Sequence, residues 1–465
     1  MKVIIILMAI IVLFVISSFC FENWDGSAIS IPEELVVALE DEARIDAEAQ
    51  ALTLSEAIEM ALEKNPNINS MVRALRRSQY LHMAASKESL PTISTDYTFM
   101  GFPRIPEMIY SEEETFPLTD STSFSWGSHV KMPIYTSGAL RYKKTIAKLG
   151  IDVSRMQLLE AKSDLVQEVT INYFAILRSK RYLSVAAENL IRFIEHEEMT
   201  RKYYNAKTVA KNTLLMVQVK RANAHQELIV IQKDLKIARA ALNVSMGIDI
   251  DSQFRLEDIS SYRKLFFSPK ECFNTATNHN PSLVAFSYLQ EIAKKAIDLE
   301  KTGTLPKISA TFSYYKHGKT PALAGDDYIT NDLLIGMVVA EWKVFDWFKT
   351  RDLVKAKKKE FEMIIDNRRS VADRIALDIH RSYLSMQAAE NRIRVAEKEI
   401  EHAEENYRIS RLRYEEQVAK STEVNDALVL LRRAGYDYHN AFYKYNVSLA
   451  KLERVMGTNI EQVWR

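Results

Sequence analysis

The 465-residue sequence is poor in cysteine, glycine and proline, and its charges almost cancel. Only two cysteines occur, Cys20 and Cys272, and Cys20 lies in a removable leader, so no intramolecular disulfide is available. Twelve glycines and eleven prolines leave few breaks in the chain, which indicates long helices. With 62 basic and 61 acidic residues the formal net charge is +1, so no global field favours a nucleic acid partner.

Catalytic fingerprints are also missing. The sequence has no P-loop, HExxH, GxSxG, CxxC or dinucleotide-binding motif. Its nine histidines are scattered without the spacing of metal ligands. We therefore expect no catalytic residues, no cofactor and no metal site, and a protein that is not an enzyme.

The first 20 residues are typical of a secretory signal peptide. Lys2 precedes the apolar run Val3–Ile16, which is short for a membrane span, and Ser17 and Ser18 follow. An anchoring helix is the alternative. Cys20 leaves two processing routes open, lipid attachment or cleavage after the cysteine. Residues 21–51 form an acidic extension, expected to be a mobile segment or a short helix.

A coiled-coil seam dominates the second half of the chain. Large residues recur every seven positions, and small residues recur three positions after them. The large series is Ile379, Met386, Ile393, Ile400, Tyr407 and Tyr414, and the small series is Ser382, Ala389, Ala396, Ala403 and Ser410. The pattern predicts one unbroken helix over residues 349–414, about 100 Å long at a rise of 1.5 Å per residue.

The same seam occurs 210 residues earlier, from Val169 to Tyr204. Three short motifs repeat at nearly the same offset, and they also mark matching places in the two halves. They are Asn-Pro at 65–66 and 280–281, Leu-Pro-x-Ile-Ser at 90–94 and 305–309, and Met-Gly at 246–247 and 456–457. The chain is thus a tandem duplication, with repeats at 52–247 and 271–457, a connection at 248–270 and a tail at 458–465.

Each repeat contains two segments in which apolar and polar residues alternate. Residues 91–135 and 306–346 predict β-hairpins with strands of about 10 residues, the length that crosses a bilayer in a β-barrel. One face of the strands is rich in aromatic side chains, which we expect to contact outer-membrane lipid. These residues are Tyr97, Phe124, Trp126, Phe312 and Trp342. A soluble antiparallel hairpin is the alternative.

A helix precedes each hairpin, and a long helix and a returning helix follow it. The first helix of repeat one should kink at Pro66. The long helices are expected at 138–205 and 349–414, and the returning helices at 213–247 and 422–457.

This order of elements, together with the duplicated motifs, resembles the TolC family of outer-membrane channels over roughly residues 52–457. The resemblance implies an α+β membrane protein that assembles as a homotrimer. Each protomer would give four strands to a 12-stranded transmembrane barrel and its helices to a periplasmic α-barrel. Residues 248–270 and 458–465 would form the equatorial belt. The implied partners are a periplasmic adaptor (membrane fusion) protein and an inner-membrane transporter.

The resemblance also suggests site residues at the turns that end the long helices. Glu423 and Asp426, in Thr-Glu-Val-Asn-Asp-Ala, match a tip sequence whose acids form the channel constriction, with Tyr414 and Lys420 nearby. As an alternative, Glu423 is a first-turn acid that favours the helix dipole, and Asp426 is a solvated surface residue. The expected adaptor contacts are Lys207, Val209, Lys211, Gln417 and Val418. The family often has glycine at the positions of Lys207 and Gln417.

The implied function is a passive exit duct of a tripartite efflux pump or a type I secretion system, gated at the periplasmic tip by helix untwisting on adaptor contact. A periplasmic coiled-coil adaptor or scaffold without a pore is the alternative. The two differ in the strands, because an adaptor has no need of bilayer-length hairpins in both repeats. The sequence does not specify the transported substrate.

Overall fold

The computed structural model describes six stretches of the chain: residues 49–105, 107–109, 115–117, 121–259, 267–324 and 331–458. The expectations for the signal peptide and for most of the acidic extension lie outside these residues. So do residues 260–266 of the connection and residues 459–465 of the tail.

The described chain divides into two compact units. One draws on residues 1–71, 158–281 and 372–465, and its described residues form helices, turns and a short two-stranded sheet. The other contains a four-stranded sheet and helical segments, and draws on residues 72–157 and 282–371.

The described residues of repeat one form four helices. They are α1 (Leu54–Lys64), α2 (Pro66–Lys87), α3 (Ala139–Asn205) and α4 (Lys211–Met246). α1 begins with a capping box, in which the Thr53 hydroxyl accepts from the Glu56 backbone N–H (3.1 Å) and the Glu56 carboxylate accepts from the Thr53 N–H (2.8 Å).

Repeat two builds the same order from a different sequence. Its helices are α5 (Pro269–His279), α6 (Pro281–Lys301), α7 (Lys349–Glu415) and α8 (Ser421–Met456). α5 opens with the equivalent capping box, made by Ser268 and Glu271. The predicted tandem-repeat fold is confirmed.

The Asn-Pro motif ends one helix and starts the next. Asn65 has an extended conformation, so α1 and α2 are separate helices and the expected kink at Pro66 is a full break. The Asn65 side chain donates to the Ser245 carbonyl oxygen (2.9 Å), and Asn280 donates equivalently to that of Val455 (2.8 Å). The motif therefore holds the end of the returning helix in each repeat.

Heptad packing supplies the core of the helical unit. Ile379, Met386 and Ile393 on α7 are between 1% and 4% exposed. Met386 and Ile393 cluster with Tyr445 and Leu449 of α8. Four earlier seam residues, Val169, Ile176, Leu183 and Leu190, are equally buried on α3.

The connection is held against the first repeat by a small parallel sheet that the sequence did not predict. β1 (Ala51–Leu52) pairs with β6 (Arg255–Leu256). The buried Tyr173 hydroxyl lies 3.0 and 2.9 Å from the carbonyl oxygens of Leu52 and Glu257, beside this pair. Burial raises the pKa of Tyr173, so the group stays a neutral donor.

The four-stranded sheet consists of β2 (Thr92–Gly101), β5 (Thr122–Tyr135), β7 (Lys307–Gly318) and β8 (Asp332–Glu341). These strands pair in that order, and every pair is antiparallel. β5 and β7, from different repeats, pair at its centre, with an irregular register between Pro133 and Tyr135.

Two details of the strands differ from the sequence prediction. The loop after β2 contains a further short pair, β3 (Glu107–Ile109) and β4 (Thr115–Pro117). β8 ends at Glu341 rather than near residue 346, the predicted end of the second hairpin.

Candidate functional site

The two long helix pairs end in turns of equal length and the same geometry. Residues 206–210 join α3 to α4, and residues 416–420 join α7 to α8. Lys207 and Gln417 both adopt left-handed backbone conformations, with φ of 63° and 58°. The next N–H groups, those of Thr208 and Val418, donate back to carbonyl oxygens of the preceding helix at 3.0 and 2.9 Å. These turns thus adopt a glycine-type geometry without glycine.

A buried carboxylate fastens the first helix pair near its turn. Glu197 of α3 is 3% exposed and accepts from Arg221 (3.0 Å) and Gln218 (3.2 Å) of α4 and from Arg201 of its own helix. Burial alone would raise the pKa of Glu197, but the hydrogen bonds from Arg221, Arg201 and Gln218 together outweigh it and lower the pKa. Glu197 therefore stays ionised and cross-links α3 to α4.

The sequence itself contains a signal for this cluster. Glu197 falls on the large-residue seam of repeat one, where an acid can be buried only with cations beside it. Arg201 is four residues further along the same helix, which is the favourable spacing.

The second helix pair has no buried carboxylate at the equivalent position among its described residues: there Tyr407 packs against an apolar cluster that includes Leu431 of α8, and an exposed ion pair lies closer to the turn. Glu423, one of the predicted constriction acids, lies 3.1 Å from Arg413 and accepts weakly from the Lys420 backbone N–H at 3.3 Å. The Arg413 and Glu423 side chains are 54% and 42% exposed. Glu423 thus occupies a helix-capping position. Asp426 is exposed and has no hydrogen-bond or ion-pair partner among the described residues.

Polar side chains connect the first helix pair to the second near the turns. The Tyr414 hydroxyl lies 3.0 Å from the Thr200 hydroxyl, and His196 Nε2 lies 2.8 Å from the Ser421 hydroxyl. The Tyr203 hydroxyl donates to the Glu415 carbonyl oxygen (2.8 Å). Tyr414, predicted as a gate residue, is 3% exposed, and its ring meets the rings of His196 and Tyr203 edge-on.

The predicted adaptor-contact residues lie on or beside the two turns. Lys207, Lys211, Gln417 and Val418 are exposed, and Val209 is half-buried. Both turns line a surface depression of about 380 Å³, to which Val209 and Gln417 contribute. The structure therefore brings these residues to the same end of the helical unit, where a partner could contact them.

Four of the five predicted aromatic residues share one face of the sheet. Directly opposed residues in an antiparallel sheet point to the same face. Tyr97 opposes Trp126, and Val130, four residues along β5 from Trp126, opposes Phe312. Phe124 is on this face as well, two residues from Trp126. Trp342, in contrast, lies beyond the end of β8, and its indole N–H donates to the Thr304 carbonyl oxygen (3.0 Å).

The opposite face of the sheet carries a polar network. His129 Nε2 lies 2.6 Å from the Asp96 carboxylate, and its Nδ1 lies 2.9 Å from the Ser313 hydroxyl. The Tyr315 ring packs edge-on against the His129 ring. The polar partners of this histidine therefore come from β2 and β7, the strands on either side of β5.

Neither a metal centre nor a membrane-spanning helix is found in the described part of the chain. No group of three or more His, Cys, Asp or Glu side chains there could hold a metal ion. None of the helices in those residues combines the length and apolarity needed to cross a bilayer.

Solved structures with the same fold include several outer-membrane channels. The outer-membrane channel OprN is 13% identical, with a TM-score of 0.75 over 87% of this chain and 90% of its own. The outer membrane protein VceC of Vibrio cholerae is 15% identical, with a TM-score of 0.73 over 87% and 96%. The CmeC outer membrane channel of Campylobacter jejuni is 12% identical, with a TM-score of 0.76 over 87% and 85%. No curated protein matches the sequence.

A family comparison adds function to this fold. The profile of the outer membrane efflux proteins matches residues 57–248 and again 273–458, once in each repeat. Its members are transport channels of the outer membrane that extend into the periplasm, not enzymes. Because the two matches cover most of the sequence, the chain belongs to the outer membrane efflux protein family.

Proposed function

We propose that three copies of this efflux protein form a channel that serves as the passive exit duct of a tripartite efflux pump or a type I secretion system. The open four-stranded sheet carries the proposal. β2 and β8 are its edges, and unpaired backbone groups at an edge cannot remain in lipid. Three such sheets, joined β8 to β2, would close a barrel of 12 strands with no free edge.

The length and side chains of the strands support a barrel rather than the pore-less adaptor. The four strands have 10, 14, 12 and 10 residues, enough to cross a bilayer when tilted. The face with Tyr97, Phe124, Trp126 and Phe312 would contact lipid, and the face with His129 would line the lumen. Trp342, beyond the strand, would lie at the membrane interface, where indole rings are favoured.

The helices would extend into the periplasm and end in the gate. Tyr414 and Lys420 would help hold the tip closed, and Asp426, repeated three times around the axis, would supply the constriction charge together with Glu423. Lys207, Val209, Lys211, Gln417 and Val418 would contact a periplasmic adaptor protein that connects the duct to an inner-membrane transporter.

The two helix pairs differ in a way that suits gating. The first holds the buried, ionised Glu197 with Arg221 and Arg201, whereas the second has an apolar cluster around Leu431 and, nearer its turn, the exposed pair Arg413 and Glu423. Exposed pairs contribute little, about 0 to 1 kcal/mol. Adaptor contact would therefore untwist α7 and α8 against a stationary α3–α4 pair.

Assembly and conductance test this function directly. We expect the detergent-solubilised protein to have the mass of a trimer and to give discrete current steps in planar bilayers. A monomer recovered in the soluble periplasmic fraction, without conductance, would instead support the adaptor alternative.

The assignment of the lipid-facing side of the sheet is tested by introducing one arginine on either face of β5. Trp126→Arg should strongly reduce trimer yield in the outer membrane, because arginine in the lipid-facing part of a barrel costs about 2–4 kcal/mol near the midplane. Ser125→Arg, on the opposite face of the same strand, is the matched control and should assemble. Equal yields of the two variants would contradict the assignment of faces.

A further inference from the structure

His196 occupies a buried position between the two helix pairs. It lies on α3, is 4% exposed, and its Nε2 lies 2.8 Å from the hydroxyl of Ser421, the first residue of α8. Ser421 is itself 4% exposed. The contact joins α3, in the firmly fastened pair, to the start of the helix that carries Glu423 and Asp426.

The surroundings of His196 contain few charges, and those present are already paired. Arg411 of α7 pairs with Glu195 of α3 (3.5 Å) and with Glu415 (2.9 Å). Glu197, the next residue on α3, is held by Arg201 and Arg221. The polar and titratable groups facing His196 are Glu195 from α3, Tyr407, Arg411 and Tyr414 from α7, and Ser421 from α8. No carboxylate in this set is free to neutralise an imidazolium ion.

We infer that His196 and Ser421 form a proton-sensitive clasp that holds the tip of the channel closed and releases it on mild acidification of the periplasmic side. The inference rests on the proposed function, because it assigns a control residue to the gate of the proposed duct. The neutral imidazole fits its buried site and forms a hydrogen bond with Ser421. A protonated imidazole would be desolvated there without a counter-ion, so the tip would favour a state in which His196 is exposed to water.

The direction of the pH effect follows from burial. Desolvation lowers the pKa of His196 from 6.5 to about 4, against a smaller opposing contribution from its hydrogen bond with Ser421. In a state that exposes His196, the imidazole would bind a proton near its ordinary pKa. The population of that open state relative to the closed state therefore rises as the pH falls from about 6.5 towards 4. Between about pH 7 and about pH 5.5, the open-to-closed ratio should rise about tenfold for each clasp.

Single-channel recording on the full-length protein tests the clasp. The open-to-closed ratio of the wild-type channel should rise at least about tenfold when the periplasmic side is brought from about pH 7 to about pH 5.5. His196→Gln keeps an amide able to bond Ser421 but cannot titrate here, so it should lose this response. His439→Gln is the matched control, because burial also lowers the pKa of His439 to about 4, and His439 lies on α8 away from the turns. It should respond like wild type.

A second variant covers the case in which His196→Gln fails to assemble. Ser421→Ala removes the hydroxyl and should raise the open fraction already at neutral pH. Acid response retained in His196→Gln, its absence in wild type, or an unchanged open fraction in Ser421→Ala would each overturn the clasp. A protein that conducts under none of these conditions would instead refute the proposed channel itself.

Discussion

Single residues at the ends of the returning helices explain why short motifs are duplicated over a long distance. Gly247 and Gly457 follow α4 and α8 in left-handed conformations, with φ of 70° and 69°. A Cβ at Gly247 would approach the Lys64 carbonyl oxygen to 2.8 Å, and one at Gly457 would approach that of His279 to 2.5 Å. The Met-Gly motif thus needs glycine because it packs against the Asn-Pro break of its own repeat.

Gly247→Ala should therefore destabilise the protein by about 2 kcal/mol or more, through backbone strain added to the clash with residue 64. Gly150→Ala is the matched control, because that glycine is inside α3 and a Cβ there would meet nothing within 4 Å. The control should gain about 0.5–1 kcal/mol from helix propensity. Thermal unfolding followed by circular dichroism measures both, and a Gly247→Ala protein as stable as wild type would show that the junction can yield.

At the scale of elements, the two helix pairs have equal lengths but differ in the side chains that join their helices. α3 and α7 each have 67 residues, and α4 and α8 each have 36. Only the first pair buries an ionised side chain, Glu197, between its helices near the turn, among the residues described here. The duplicated halves have therefore diverged at the end where we propose that one moves and the other does not.

Glu197→Gln should reduce stability by about 2 kcal/mol, because two arginines lose a charged hydrogen-bond acceptor. The lowered pKa of Glu197 sets the pH dependence: its contribution is complete above its ordinary value of 4.5 and is lost as the pH falls through the lower value in the folded protein. The difference between wild type and variant, from thermal unfolding, should shrink accordingly in acid. Arg413→Gln, which breaks the exposed pair of α7 and α8, should cost less than about 1 kcal/mol. Equal losses of stability in Glu197→Gln and Arg413→Gln would contradict the proposed difference between the two helix pairs.

The heptad pattern predicted the helices well, and the alternation of apolar and polar residues predicted the strands well, because each pattern reflects a single apolar face of its element. The long helix predicted at 349–414 is found at Lys349–Glu415, and the returning helix predicted at 213–247 is found at Lys211–Met246. What they missed depends on partners distant in sequence. The Asn65 side chain bonds residue 245, and the environment of His196 is set by its contact with residue 421. No local pattern encodes such pairs.

At the scale of the whole molecule, assembly would turn single exposed groups into rings. Asp426 is solvent-exposed in the protomer, without an ion-pair partner among the described residues, and Glu423 shares its charge with Arg413. In a threefold assembly the two acids would form rings about one helical turn apart. Because Arg413 partly neutralises the Glu423 ring, we expect the Asp426 ring to dominate the field at the tip.

This expectation gives Asp426 and Glu423 different effects on cation binding, although the sequence pattern assigns both to the constriction. A trivalent cation added on the periplasmic side should block wild-type conductance in planar bilayers, since rings of carboxylates attract multivalent cations. Asp426→Ala should relieve the block strongly, whereas Glu423→Ala should relieve it only in part. Arg413→Gln should make the block stronger, because it frees the Glu423 carboxylate from its partner. Equal sensitivity of Asp426→Ala and wild type would mean that the constriction is formed by other residues. Relief by Glu423→Ala alone would mean that Arg413 leaves that carboxylate when the trimer forms.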